Sequence, residues 1–217
     1  MPELGFEFLG ARAERYSLVP TLSLRLRISE TTGIAVHAIA LRCQIRVEPH
    51  RRRYSEQEAE GLFDLFGDTS RWADTLKPLQ LATISTMVPG FTGSTEIDLA
   101  VPCSYDLEVA SAKYFRALDD GDVPLLLLYS GTLFYLLDGR FAVSQIPWSQ
   151  ETRVGVPVRT WQDVVEEHFP HSAWIRLDLD TLRALGGYKS RIAAATWDAT
   201  VRGLLDAAEV PESERLP

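Results

Sequence analysis

From Val36 to Glu48 apolar and polar residues alternate without a break. Ile39, Leu41, Cys43, Ile45 and Val47 fall on one side, and Ala40, Arg42, Gln44, Arg46 and Glu48 on the other. Side chains on a strand point to alternate faces, so this run predicts one strand of a half-buried antiparallel sheet. Leu22, Leu24, Leu26 and Ile28 alternate with Ser23, Arg25, Arg27 and Ser29 in the same way, and Thr31-Thr32-Gly33 supplies turn chemistry between the two runs. They are expected as a hairpin or a neighbouring antiparallel pair. Phe6 and Phe8 mark a short first strand, and runs at about 80–88 and 94–101 give two more, joined by Pro89-Gly90-Phe91-Thr92-Gly93.

Val123 to Leu137 is apolar nearly throughout, which predicts a central strand buried on both faces, with Ser130-Gly131 as a bulge or kink. Phe141 to Ile146 returns as its hairpin partner across Asp138-Gly139. Helical spacing takes over elsewhere. Ser55 followed by Glu58 is a capping box, and Ala59, Leu62, Phe63 and Phe66 continue as an amphipathic helix that Gly67 ends. Residues 105–118 fit a strand at their start and a helix face beyond, and a helix over most of 107–118 is expected. After Pro147-Trp148 the pattern becomes helical. One helix starts at Pro157 and stops at Pro170; a second begins at Asp178 or Asp180 and closes at Gly186-Gly187; a third covers about 190–207.

The expected class is therefore α+β, an antiparallel, sandwich-like N-terminal part followed by a helical C-terminal part. The expected organisation is residues 1–148 as a β-rich domain with one or two inserted helices, 149–210 as a helical extension packed on the sheet, and 211–217 as a frayed tail.

Charge narrows the partners. The net charge of −8 is uneven: residues 1–53 hold nine Arg against five Glu, and the rest of the chain is strongly acidic. An acidic majority argues against nonspecific nucleic-acid or anionic-membrane binding, because phosphate affinity comes from basic charge. No apolar run approaches the length of a membrane-spanning helix, and the N-terminus has neither the basic nor the apolar region of a signal peptide, so a cytoplasmic protein without membrane insertion is expected. His50-Arg51-Arg52-Arg53 is the one basic cluster, and it reads first as a solvated strand end.

Candidate chemistry is thin. There is no GxSxG elbow, Walker loop or dinucleotide fingerprint, so no catalytic residue and no cofactor are expected. Glu167, His168 and His171 have metal-ligand chemistry, but Pro170 breaks the helix between the histidines, and a polar helix end is the preferred reading. Asp119, Asp120 and Asp122 crowd round Gly121 without the register of a calcium loop. Cys43 and Cys103 form neither a CxxC pair nor a metal set, and a disulfide between them is not expected. Arg42, Arg46, Arg51 and Arg53, with Tyr54 nearby, are the candidates for an anionic ligand. Trp148, Trp161 and Trp174 are the candidates for a partner surface, because aromatics concentrate at interfaces.

Several runs together carry a resemblance. They are Cys43 to Pro49 with Arg51-Arg52-Arg53-Tyr54-Ser55, Pro89 to Thr95, Lys113-Tyr114-Phe115, Val123-Pro124-Leu125, Ser130-Gly131-Thr132 and Ile146-Pro147-Trp148. Over roughly residues 20–205 the chain resembles a family of uncharacterised proteins, a domain of unknown function, from actinobacteria and related bacteria. Genes of that family often neighbour those of nickel–iron hydrogenases. The resemblance implies an accessory role in assembling or maturing such an enzyme, and brings no catalytic motif.

Two readings of function follow. The first is a non-catalytic accessory protein that binds another protein, a hydrogenase subunit or its precursor being the partner the resemblance implies. The second is a small-molecule or metal-binding protein, an enzyme included, whose site is assembled from scattered residues.

Overall fold

A computed structural model describes residues 2–103, 109–137, 139–170 and 175–209. Among these residues eight strands form two antiparallel sheets. The first sheet has the order β1 (Leu4–Ala13), β2 (Thr21–Glu30), β5 (Ser94–Pro102). The second has the order β4 (Leu79–Phe91), β3 (Val36–Val47), β6 (Asp122–Leu137), β7 (Arg140–Gln145), and β8 (Glu151–Pro157) also pairs with β6. Short helices α1 (Glu56–Gly61), α2 (Phe63–Phe66), α3 (Trp72–Thr75) and α4 (Ala110–Arg116) lie between strands, and α5 (Val158–His168) packs on β1 and β2.

The alternation seen in sequence is the alternation of the core. Leu22, Leu24, Leu26 and Ile28 of the first sheet and Ile39, Leu41, Cys43, Ile45 and Val47 of the second are all buried in one hydrophobic cluster. Each such aliphatic side chain contributes about 1.5–3 kcal/mol by leaving water. Phe6 and Tyr129 stack across the sheets with ring centroids 4.1 Å apart.

Several expectations need correction. β2 and β3 are not a hairpin or neighbouring pair: β2 pairs with β1 and β5, β3 with β4 and β6. The link at 31–35 crosses between sheets because the buried Glu30 carboxylate accepts from the backbone N–H groups of Glu3, Thr32 and Ile34, holding the loop in a corner. β6 is central but not buried on both faces; Ser130 and Leu136 on its outer side are exposed. Gly131 has φ +141° with no register slip against β3, so it is a special backbone position and not a bulge.

The compositional change at residue 148 does not divide the structure. β8 is a ladder strand of β6 and α5 packs on the first sheet, so the sheet unit takes in residues 1–174 and a second unit takes in 175–217. Thr152, Val154 and Val156 alternate with Glu151, Arg153 and Gly155, a period-two signal for β8 that the tryptophans and prolines around it obscured.

The second unit holds α6 (Leu179–Arg191) and α7 (Trp197–Glu209). α6 does not close at Gly186-Gly187 but runs through both. A Cβ at Gly186 would meet the Trp197 ring at 3.7 Å, an ordinary van der Waals contact, so packing there does not require a glycine. The turn between the two helices displaces the start of the last helix to Trp197. The start of the ambiguous 105–118 stretch lies outside the described residues, and its remainder is helical from Ala110.

Candidate functional site

The strand registers place the outer face of the second sheet in rows. One row is Gln80, Arg46, Leu126, Arg153; the next is Thr83, Gln44, Leu128, Glu151; then come Ser85, Arg42 and Ser130. Beyond them lie Met87, Ala40, Thr132 and Gln145, then Pro89, Ala38, Phe134 and Val143, and last Leu136 opposite Phe141. Polarity is therefore graded along the strands, charged at one end and apolar at the other. Phe141 is 69% exposed, Met87 63% and Val143 57%. The His37 ring meets Phe141 edge-on at 5.0 Å and extends this apolar end.

The four candidate arginines do not converge. Arg42 and Arg46 stand on the outer sheet face, and among the described residues neither has a carboxylate partner within 4 Å. Arg46 donates to the Gln44 side chain at 3.2 Å. Arg53 is exposed beyond the end of β3 and does not line the cleft there, to which Arg51 belongs. The candidate tryptophans separate as well. Trp148 is 91% exposed in the β7–β8 loop, Trp161 is buried and stacked on Phe115 at 5.2 Å, and Trp174 lies outside the described residues. Trp161 is thus a core residue of the aromatic group that α4 and α5 share, and no partner can reach it.

The cleft that receives Arg51 has a volume of about 300 Å³ and is lined by Glu48, Arg51, Arg52, Asp122, Arg153 and the backbone around Gly155. β3 delivers Glu48, a 3-10 turn at Pro49–Arg51 delivers Arg51, and β8 delivers Arg153. Glu48 Oε2 lies 3.6 Å from Arg51 Nε and 3.4 Å from Arg153 Nε. Arg52 is tied down differently: it pairs with Glu58 and donates to the backbone carbonyls of Asp120 and Asp122. The sequence reading missed Arg52, Glu48 and Arg153. The capping box was the available signal, since it fixes Glu58 beside the basic run.

Several other reactive groups are withdrawn from solvent, although His37 and His50 are exposed. Burial pushes the Cys43 thiol up to about 12 and the Cys103 thiol up to about 11, so both are protonated at neutral pH and neither is a nucleophile there. Burial, reinforced by the hydrogen bond to Tyr114, also raises Tyr54 well above the usual phenol range. His168 is engaged by the carbonyls of Val164 and Ser17. His171 lies outside the described residues, as does Asp138 of the expected hairpin turn. Among the described residues no three His, Cys, Asp or Glu side chains gather as a metal set, and no helix is long and apolar enough to cross a membrane.

These features define an α+β protein, as expected, built on two antiparallel sheets with a graded outer face and an arginine-lined cleft. The chain belongs to a family of unknown function, DUF6084, whose pattern matches residues 1–213. No match is found among curated proteins. Among solved structures, β-glucosidase 3B from Thermotoga neapolitana aligns with 70% of this chain at 13% identity in its complex with α-D-glucose and 15% in its complex with glucose. The aligned part is 17% of the glucosidase chain and the TM-score is 0.25, which carries no argument.

Proposed function

We propose that this chain is a non-catalytic protein that binds another protein through the outer face of its second sheet. One observation carries the reading: Met87, Phe134, Leu136, Phe141 and Val143 form a contiguous apolar area on a strand face, beside two arginines without carboxylate partners. Single exposed apolar residues are ordinary, but a contiguous area rimmed by polar residues is the mark of an interaction surface. Arg42 and Arg46 set the chemistry of the occupant, a protein surface with apolar side chains at one end and carboxylates at the other. The partner that the family resemblance implies is a subunit or precursor of a nickel–iron hydrogenase, which makes this an accessory protein of assembly or maturation.

The test uses purified components. Sedimentation of the full chain with a hydrogenase large-subunit precursor should give a complex. The double variant Phe141→Asp, Val143→Lys should lose it while keeping the circular dichroism of the parent. Failure of the parent to associate, or undiminished association of the variant, would overturn the proposal. Self-association of the parent alone, lost in the same variant, would assign the face to a second copy instead.

A further inference from the structure

The arginine-lined cleft lies at the charged end of the same sheet and needs no protein partner. Two of its atoms are conspicuous. Glu48 Oε2 and Arg52 Nε are buried and, among the described residues, have no hydrogen-bond partner. The Glu48 side chain is only 8% exposed and that of Arg52 only 9%. One is an acceptor and the other a donor, and both residues line one cavity. Both side chains are ion-paired through neighbouring guanidinium or carboxylate groups, yet a buried polar atom that lacks a hydrogen bond still costs free energy unless something completes it.

Glu48 also positions its neighbours. It faces the Nε atoms of both Arg51 and Arg153, and Arg153 Nη1 pairs with Glu151. Among the described residues this leaves Arg51 Nη1 and Nη2 and Arg153 Nη2 without a partner. These two guanidinium groups, half exposed and aligned by one buried carboxylate, offer N–H donors at the mouth of a cavity large enough for a small ligand. Gly155 keeps the wall open on the Asp122 side, where a Cβ would meet the Asp122 carboxylate at 3.0 Å.

We infer that this cleft binds a small oxyanion, a phosphate or a carboxylate. Arg51 and Arg153 hold its oxygens and Arg52 Nε donates from below. Glu48 Oε2 accepts the proton of a protonated oxygen, such as that of hydrogen phosphate. This is a different site from the four-arginine set suggested by the sequence: it keeps Arg51, leaves Arg42, Arg46 and Arg53 outside, and gains Arg52, Arg153 and Glu48.

Calorimetric titration of the full chain with inorganic phosphate, and separately with acetate, at constant ionic strength tests it. Saturable one-site binding of at least one probe is expected, with Kd about 1 mM or tighter. Arg51→Gln and Arg153→Gln should each weaken it about tenfold or more, whereas Arg42→Gln should leave it unchanged. The probe that binds identifies the oxyanion. In the parent chain, amide chemical shifts should move at residues 48, 50–52, 122, 123, 125 and 153–155, a readout that holds even where a variant folds poorly. No saturable binding of either probe, shifts elsewhere in the chain, or full affinity in both arginine variants would overturn the inference.

Discussion

Arg52 and Glu58 form an ion pair in which both side chains are more than nine-tenths buried. Glu58 closes the capping box with Ser55 and accepts from the Asp119 N–H at 3.1 Å, while Arg52 donates to the Asp122 carbonyl at 3.0 Å. The pair thereby ties three segments together: the turn after β3, the start of α1 and the loop that leads into β6. Removing one member leaves the other charge buried without compensation, which costs about 3–5 kcal/mol. Glu58→Ala should therefore lower the urea midpoint strongly. Arg52→Met with Glu58→Leu should cost less than the sum of the single changes, since neither charge then remains. Additive costs in such a cycle would show that the pair does not act as a unit.

Acid stability follows from carboxylates held below their ordinary range, among them Asp68 through its hydrogen bonds from Ser70. Burial pushes Glu30 up, but hydrogen bonds from Thr32, Glu3 and Ile34 outweigh it and the net direction is down. Hydrogen bonds from Arg27 and Arg25 lower Glu96, and the hydrogen bond from Lys113 lowers Asp64. A pKa lower in the fold than in the unfolded chain means that the fold favours the charged form. The stabilisation is complete above the ordinary values of 4.5 for Glu and 3.8 for Asp, and is lost as pH falls through the depressed ones. The urea midpoint should stay level from neutral pH to about 5 and fall below that. Glu30→Gln should flatten the acid limb. A decline already under way between pH 7 and 6 would mean that other groups govern it.

Period-two patterning was legible in β2 and β3, where one face of a long strand is buried, and both emerge with their facing residues correct. Strand order was not. Whether Thr31-Thr32-Gly33 folds back or crosses to another sheet depends on Glu30, whose backbone partners include Glu3, distant in sequence. The same limit applied to the site. Arg42, Arg46 and Arg51 stood close in sequence, but strand alternation and the turn at Pro49–Arg51 sent them to different surroundings. Arg153 joins Arg51 only because β8 returns along β6, a pairing across more than a hundred residues from β3 that local pattern cannot register. Gly186 and Gly187 read as a helix end because glycine is the usual terminator, yet the helix runs through both, since propensity is a weak guide beside tertiary context.

Gly131 offers the sharpest test of the sheet itself. It sits where β6 changes partners on one edge, from β8, which pairs through Leu128, to β7, which pairs from Thr132. A Cβ there would meet the Ala40 carbonyl oxygen at 2.1 Å, and the φ of +141° is one that L residues rarely adopt. Gly139 is a matched control, with φ +73° and open space around its Cβ position. Gly139→Ala carries only the backbone strain of about 1–2 kcal/mol. Gly131→Ala carries strain together with a clash against the backbone of β3, and should lose about 3 kcal/mol or more. The two costs are read from urea unfolding of each variant, with hydrogen exchange at Ala40 and Leu41 locating the damage. Equal costs at the two positions would show that β3 and β6 yield at Gly131, and that the ladder on which both the graded face and the arginine cleft are built is less tightly closed there.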